Sequence, residues 1–469
     1  MKTVEFYLSL TGVLDLVDAF KSKGVPMRQT VAAVTACSLM GRNSMSGCAE
    51  WLGNPNVRAE LGIPGRMGQR TLNRGVEILG ARTEEVIARM WKGLCSAFGF
   101  ANTDVDTDGT AVACRWSRAG LAKFGYDRDR SPGKKQVEFM TARLQESRIP
   151  MFVKEHEGNA TDPEMFREVL PAAMGMVRKG SWTVTDDGGA SEDVLNNIVK
   201  AGNNHLARVK MNASDDAYIR EHRTCFEAVE DGVCCLKRVF KTSGRTTYVF
   251  FSAPLAMKAE ERATSVVEKR VATQGEIRRT GKIRNSDFFT VKARHPGIKV
   301  DPRASFQDDL LDDAPESIAQ MIEDEKGPRC GFFKLESSVE LTPLEALMKY
   351  RNRVAIEHLI SSMKRVAGIK PLRVWSDDSV RGSMLLALLA EAVIAMARHE
   401  MRGREEEKKV AGKAEAVIAK PSEESIVRSL ARSTVAVRYE GRRRLEPVYS
   451  NWERISTETT GDIRSRAAA

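Results

Sequence analysis

The sequence has little of what zinc sites, disulfide frameworks and membrane spans require. Its 8 cysteines are scattered without a C-x-x-C pair, and only 6 histidines occur among 469 residues. Neither a zinc site nor a disulfide framework is indicated, and reduced thiols in a cytoplasm fit best. The longest apolar run, Met384 to Ala397, is too short to span a bilayer and contains Glu391, so we expect a buried helix. Asp15 and Asp18 interrupt the N-terminal apolar stretch, which argues against a signal peptide.

Positive charge is the main excess. Lysine and arginine number 73 against 63 aspartate and glutamate residues, which gives a formal net charge of +10. Such an excess favours a polyanionic partner, nucleic acid before a membrane surface. The hydrophobic fraction of 42% is ordinary for a soluble protein, and the length allows two or three domains with separate cores.

The first 98 residues are predicted to be helical. Amphipathic segments there are separated by Gly and Pro, and the segment from Gln69 to Leu79 carries Arg70 and Arg74. This pattern is compatible with a helix-turn-helix. A small helical bundle that serves packing or dimer contacts explains it equally well, so we assign no base contacts here.

A stretch rich in aspartate follows, ANTDVDTDGTAVACRW, which alternates polar and apolar residues and predicts a strand. Asp104, Asp106 and Asp108 then lie on one face. Three carboxylates on a half-buried face repel each other unless a cation compensates them or they lie at a strand end. A metal site and an acidic edge strand are the two interpretations.

A second acidic position lies at WTVTDDGG, a short apolar strand that is followed by a helix and another strand. This order places a carboxylate, that of Asp186 or Asp187, at the C-terminal end of a strand, where α/β sheets collect their ligands. An ordinary loop acid is the alternative.

The third acidic position lies in LEALMKYRNRVAIEHLISSMK, Leu344 to Lys364, which has no Gly or Pro and predicts a single helix. Tyr350, Arg353, Glu357 and Lys364 would lie within about 60° of each other on it. A carboxylate beside two cations and a phenol suits a metal ion held next to a phosphate backbone. The alternative is a solvated helix face with a Glu–Lys pair.

The spacing of these four residues resembles the Y-R-E-K signature of a large group of prokaryotic insertion-sequence transposases. The segment D-G-T-A-V resembles the first-aspartate motif of that family. L-A-K-F-G-Y-x-R-D-x-x-P-x-x-K-Q-V and E-G-N-x-x-D resemble the connections that follow it. The resemblance implies an RNase H-like fold with a metal triad of Asp108, Asp186 (with Gly188) and Glu357. Asp106 is the fallback for Asp108, because it lies on the same face.

The resemblance also implies chemistry and partners. Mg²⁺, with Mn²⁺ as a substitute, would serve nicking at transposon ends and transfer of the freed 3′-OH into target DNA. Double-stranded DNA with terminal inverted repeats is the expected partner, and a homodimer is expected on it. The expected DNA contacts are Tyr350, Arg353 and Lys364 and, in a basic loop, Lys123, Arg128, Lys134 and Lys135. Two alternatives are a decayed or domesticated DNA-binding protein without catalysis and a stand-alone RNase H-like nuclease.

The expected fold class is mixed α/β, with an RNase H-like core and a β-rich insertion. The expected parts are an N-terminal helical domain (1–98), the catalytic domain (99–210 and 342–400), the insertion (211–341) and a charged tail (401–469). Within the insertion, the basic stretch 258–284 is a candidate for lying along DNA, with a solvated hairpin as the alternative. The expected location is a prokaryotic cytoplasm, associated with the nucleoid when DNA is bound.

Overall fold

The computed structural model describes residues 2–41, 44–63, 65–99, 104–114, 117–126, 134–240, 244–280, 318–365, 368–369, 372–410, 425–426 and four short strands between 434 and 450. The chain divides into two compact units. One comprises Met1–Ala207 and Leu347–Ala469, and the other comprises Arg208–Ala346. Residues 1–98 and the three acidic positions belong to the first unit.

The first unit begins with seven helices in the described part of the chain. They are α1 Lys2–Leu10, α2 Val13–Asp18, α3 Met27–Leu39, α4 Met45–Gly53, α5 Pro55–Glu60, α6 Gln69–Gly80 and α7 Thr83–Phe98. Apolar residues at helical spacing, such as Leu72, Val76 and Leu79 of α6, are buried. The predicted helical character of this region is therefore seen.

Helix α6 crosses a long helix from the far end of the sequence at very short range. A Cβ atom on Gly80 would lie 1.8 Å from the carbonyl oxygen of Asp378, and one on Gly382 would lie 2.0 Å from that of Val76. Only glycine permits this approach. The crossing ties the N-terminal helices to the core of the same unit.

The sheet of the first unit has the strand order β3-β2-β1-β4-β5. Strand β1 is antiparallel to β2, β2 is antiparallel to β3, and β4 is parallel to both β1 and β5. Helices α8 and α9 connect the later strands. The bounds are β1 Val105–Ala113, β2 Gln136–Leu144, β3 Pro150–Glu157, α8 Asp162–Met176, β4 Trp182–Thr185, α9 Glu192–Lys200 and β5 Asn204–Val209. This is the expected RNase H-like arrangement, so the predicted fold class is confirmed.

Local sequence explains the entry into α8. Thr161 and Glu164 form a capping box, in which the backbone N–H of Thr161 donates to Glu164 Oε2 at 2.9 Å. Pro163 lies in the first turn, where its missing N–H costs nothing.

The segment predicted as one helix, Leu344 to Lys364, is two helices, so that prediction is wrong. Helix α13 covers Pro343–Arg351 and α14 covers Val354–Arg365. The two residues between them form a turn, and the N–H of Arg353 donates to the carbonyl of Tyr350 at 3.0 Å. The four signature residues are therefore not on one continuous helix face.

The last long helix, α15, covers Asp377–Val410. Residues 377–400 are long and apolar enough to cross a membrane, but that stretch is mostly buried in the protein, as expected for a core helix. The helix continues ten residues into the segment expected to be a charged tail.

The second unit has four antiparallel strands in the order β9-β8-β7-β6, together with three helices in its described part. The bounds are α10 Ala213–Glu221, β6 Glu227–Glu230, β7 Val233–Val239, β8 Thr246–Ser252, α11 Ala253–Thr280, α12 Ile318–Lys326 and β9 Phe332–Ser337. Stacked rings of Phe250 and Phe333, 5.0 Å apart, form part of its core. Most of the basic stretch 258–284 is helix α11, and its last four residues are not described.

Candidate active site

Two of the three aspartates around the start of β1 are each paired with one cation of their own. Asp106 is fully buried, accepts Arg143 Nη2 at 2.6 Å and also accepts the side-chain amide of Gln145. Asp104 accepts Lys349 from helix α13. Burial raises the pKa of Asp106, while Arg143 and Gln145 act in the opposite direction. These two acids are already compensated by protein groups.

Asp108 is different, because it shares its cation with two other acids. Arg353 Nη2 lies 3.0 Å from Asp108 Oδ1 and 3.0 Å from Asp186 Oδ2, and Arg353 Nη1 lies 3.6 Å from Glu357 Oε1. The guanidinium is 7% exposed, whereas Glu357 at the rim is 59% exposed. The structure therefore brings the three predicted triad members together around one arginine.

The strand pairing explains why Asp108 and Asp186 meet. In the parallel pair of β1 and β4, Asp106 is opposite Val184, so Asp108 and Asp186, each two residues further on, lie at neighbouring positions. Asp186 directly follows the last residue of β4 and accepts the backbone N–H of Gly188 at 3.1 Å, which fixes the turn. Asp187, the alternative at this position, is exposed.

The helix break between α13 and α14 directs Arg353 inward. Arg143, which neutralises Asp106, also donates to the carbonyl of Asn352 at 3.1 Å, so it holds the turn against the sheet. The same carbonyl also accepts the backbone N–H of Ala355 at 3.3 Å, so Arg143 supplies its second hydrogen bond. Sequence reasoning missed Arg143. The available signal was a single arginine in the otherwise largely apolar strand QVEFMTARL.

The charges in the cluster are unbalanced. The pKa of Asp108 is raised to about 6, first by burial and then by the nearby Asp186 and Glu357, against the lowering effect of Arg353. Burial alone would lower the pKa of Arg353, but Asp108 and Asp186 outweigh burial and hold it above its usual value. Three carboxylates around one permanent cation retain an excess of negative charge.

These carboxylates fit the chemistry of a divalent metal ion, since hard oxygen ligands are what Mg²⁺ prefers. As placed, however, no three acidic, histidine or cysteine side chains among the described residues lie close enough to hold one ion together. Arg353 stands between them. Its Nε and Nη2 atoms lack a well-aligned hydrogen bond within the described part of the chain, so charge rather than directed bonding holds it there.

The other signature residues that were predicted to contact DNA differ in their exposure to solvent. Lys364 Nζ donates to Thr110 Oγ1 at 2.6 Å, so it anchors α14 two residues beyond Asp108 on β1. Tyr350 is half-buried at the end of α13. Arg353 contacts the acids rather than the surface. Roles on DNA for all three residues stay predictions.

In the basic loop, Lys123 is exposed, and its Nζ lies 4.0 Å from Glu157. Lys134 and Lys135 are exposed just before β2. Arg128 lies outside the described residues. The three exposed lysines can meet a polyanion, and none of the three belongs to the acidic cluster.

The chain is similar to a known family and to a solved structure. Residues 101–391, more than half of the chain, match the family model of the transposase DDE domain. The cryo-EM structure of a piggyBac transposase synaptic complex with hairpin DNA is similar with a TM-score of 0.44 and 10% identity, over 100% of this chain and 81% of that chain. No curated protein matches the sequence. By the match over residues 101–391, this chain belongs to the family of transposases with a DDE domain.

Proposed function

We propose that this transposase nicks DNA at transposon ends and transfers the freed 3′-OH into target DNA with the help of Mg²⁺, for which Mn²⁺ can substitute. The observation that carries the proposal is the convergence of Asp108, Asp186 and Glu357 on one point at the C-terminal end of β4. Members of the family use divalent metal ions.

The three carboxylates would hold the ions. Bound there, two divalent ions would activate the attacking oxygen and stabilise the leaving oxygen of an in-line phosphoryl displacement. Asp108 is favoured over Asp106 as a ligand, because Arg143 and Gln145 already engage both oxygens of Asp106.

Arg353 has two consecutive tasks in this proposal. While the acids are without other cations, its guanidinium compensates them. Because it contacts all three proposed ligands, its present contacts compete with metal binding. When metal ions displace the Arg353 guanidinium from the carboxylates, it can donate two parallel hydrogen bonds to a phosphate of the scissile strand. Lys364, anchored on Thr110, stays beside Asp108 as a second cation.

Double-stranded DNA, as terminal inverted repeats and as target, is the proposed partner. A homodimer on DNA is proposed because transposition joins two ends. The proposed location is the cytoplasm, on the nucleoid when DNA is bound.

The test is cleavage of a labelled duplex that carries the inverted repeats flanking the coding sequence. Wild type and Glu357→Ala are compared in Mg²⁺ and in EDTA, and DNA binding is measured in parallel. Metal-dependent nicking at the repeat that is lost in Glu357→Ala, with DNA binding retained, is the expected result. Binding without cleavage by wild type under any divalent ion would instead favour a DNA-binding protein without catalysis.

A further inference from the structure

Three aromatic rings are displayed on the surface of the first unit. Among the side chains that the structure describes, Tyr126 (85% exposed), Phe124 (64%) and Trp375 (60%) are the most exposed aromatic residues. Phe124 and Tyr126 lie in the described segment 117–126 of the β1–β2 loop, and Trp375 precedes α15. Large exposed rings cost free energy in water, so a group of them marks a binding surface.

The backbone that carries these rings is held firmly. Lys123 and Gln136 exchange two backbone hydrogen bonds of 3.0 and 2.8 Å, and the N–H of Gly158 donates to the carbonyl of Leu121 at 2.9 Å. The N–H of Leu121 donates to Asp377 Oδ1 at 2.9 Å, which ties the loop to the start of α15 beside Trp375. The rings of Phe124 and Tyr126 are therefore carried by a segment of backbone that is held in place by hydrogen bonds.

Two glycines permit this arrangement. A Cβ atom on Gly125 would lie 1.8 Å from the carbonyl oxygen of Gly158, and one on Gly158 would lie 1.9 Å from that of Gln136. The Gln136 amide donates to the carbonyls of both Tyr126 and Gly158, at 3.0 and 2.9 Å. In the sequence F-G-Y the backbone of the central glycine thus lies against Gly158, and the rings on either side are in solvent.

The surroundings of the rings are positively charged. The guanidinium of Arg118 lies 5.3 Å from the ring centre of Trp375, a cation–π contact. Exposed basic residues nearby in sequence are Lys123, Lys134, Lys135 and Arg373. Of these, only Lys123 has an ion pair among the described residues, with Glu157. Exposed aromatic rings near basic side chains suit a polyanion that carries aromatic groups. A nucleic acid strand has both, in its phosphates and its bases.

We propose that the aromatic surface, Phe124, Tyr126 and Trp375, stacks unpaired bases of a DNA strand. Bases in a duplex are covered by their neighbours, so only unpaired or displaced ones can stack on protein rings. Strand β1 runs five residues from Asp108 to its end at Ala113, about 17 Å at about 3.3 Å per residue. That length matches about five nucleotides at about 3.4 Å each along a strand. The inference rests on the proposed function for its choice of DNA.

Binding in EDTA tests this without any need for cleavage. Fluorescence anisotropy measures the affinity of full-length protein for a labelled 12-nucleotide single strand, a blunt duplex, and the same duplex with a single-stranded overhang. Phe124→Ala and Tyr126→Ala are each expected to weaken binding of the strand and the overhang about tenfold and that of the blunt duplex less than about twofold. Both side chains are exposed, so the variants should fold. Val199→Ala, which truncates an exposed apolar side chain of α9, is the matched control.

Two further variants separate stacking from simple apolar contact. Tyr126→Phe keeps a ring and should retain the wild-type affinity, whereas Tyr126→Leu should behave like Tyr126→Ala. Equal weakening for all three DNAs, or changes of less than about twofold for all, would overturn the inference and leave the proposed function standing. A changed oligomeric state of the variants with unchanged DNA binding would also overturn it, since the surface would then contact protein. If wild type binds none of the DNAs, the proposed function itself fails.

Discussion

Two buried acid–arginine contacts lie two residues apart on the same strand. Asp106 pairs with Arg143 and is completed by Gln145. Asp108 faces Arg353, which is also shared by Asp186 and Glu357. Both aspartates lie on β1, and their side chains are 0% and 15% exposed. What separates them is the number of acids for each cation.

The difference indicates which acid stabilises the fold and which is available for chemistry. A one-to-one buried pair with satisfied oxygens has nothing left to offer a ligand. Three carboxylates around one cation keep oxygens and negative charge for another cation. The ratio of acids to fixed cations is therefore a physical criterion for choosing between neighbouring acids in a cluster.

The largest expected effect is the loss of cleavage activity when one of the acids around Arg353 is replaced. Asp108→Asn should lower metal-dependent nicking by at least about 10³-fold with little loss of stability, because it removes one of three mutually repelling carboxylates. The measurement is single-turnover cleavage of the duplex with transposon ends, with thermal unfolding as the control for folding. Asp108→Asn with near wild-type cleavage would remove Asp108 from the site and reverse the comparison.

The paired aspartate should show the opposite behaviour. Asp106→Asn leaves Arg143 buried without its counter-charge and should lower the free energy of unfolding by about 3–5 kcal/mol. Urea unfolding measures this, and Asp104→Asn, at a partly exposed ion pair, is the control with an expected loss of less than about 1 kcal/mol. The folded fraction of Asp106→Asn should still cleave. If Asp106→Asn is stable but inactive, Asp106 is the ligand.

Much of the core was predictable from the sequence because the signals there are local. Alternation in the aspartate-rich stretch predicted β1, and a strand followed by acids and glycines placed Asp186 at the end of β4. The N-cap Thr161 and its nearby proline predicted the start of α8. These features depend on residues within a few positions of each other, so one sequence suffices to find them.

The rest depends on contacts between distant residues. Nothing within Leu344 to Lys364 interrupts the helical pattern, and the break beside Arg353 involves Arg143, more than 200 positions earlier. The choice between Asp106 and Asp108 likewise required knowing that Arg143 is opposite Asp106 in the β1–β2 register. Such pairings between strands cannot be read from the periodicity of either strand.

A third buried acid, Glu155 on β3, extends the comparison to an acid with no ion pair among the described residues. Its Oε1 has no hydrogen-bond partner there, and burial raises its pKa to about 7, against smaller lowering effects of Arg381 and Lys154. Because the folded-state pKa exceeds the usual value of 4.5, stability should fall as pH rises from about 4.5 through 7.

Glu155→Gln should remove that dependence. We expect the variant to be more stable than wild type by about 1–3 kcal/mol at pH 8 and no more stable at about pH 3, where the carboxyl is protonated in both states. Urea unfolding at both pH values measures this. A gain of equal size at both pH values would show that the titration of Glu155 is not its cause.

The smallest effect on stability is expected where a buried acid accepts a hydrogen bond from an uncharged donor. Glu391, 2% exposed in α15, accepts Ser362 Oγ of α14 at 2.6 Å, five residues after Glu357. Ser362→Ala removes one hydrogen bond to a buried carboxylate and should cost about 1–2 kcal/mol of unfolding free energy, less than the loss of a charge partner at Asp106. Because the bond joins the helix of Glu357 to the core helix, cleavage should also fall, by less than about tenfold. The neighbouring Ser361→Ala is the control, and equal losses in both variants would show that helix packing, not the bond to Glu391, is responsible.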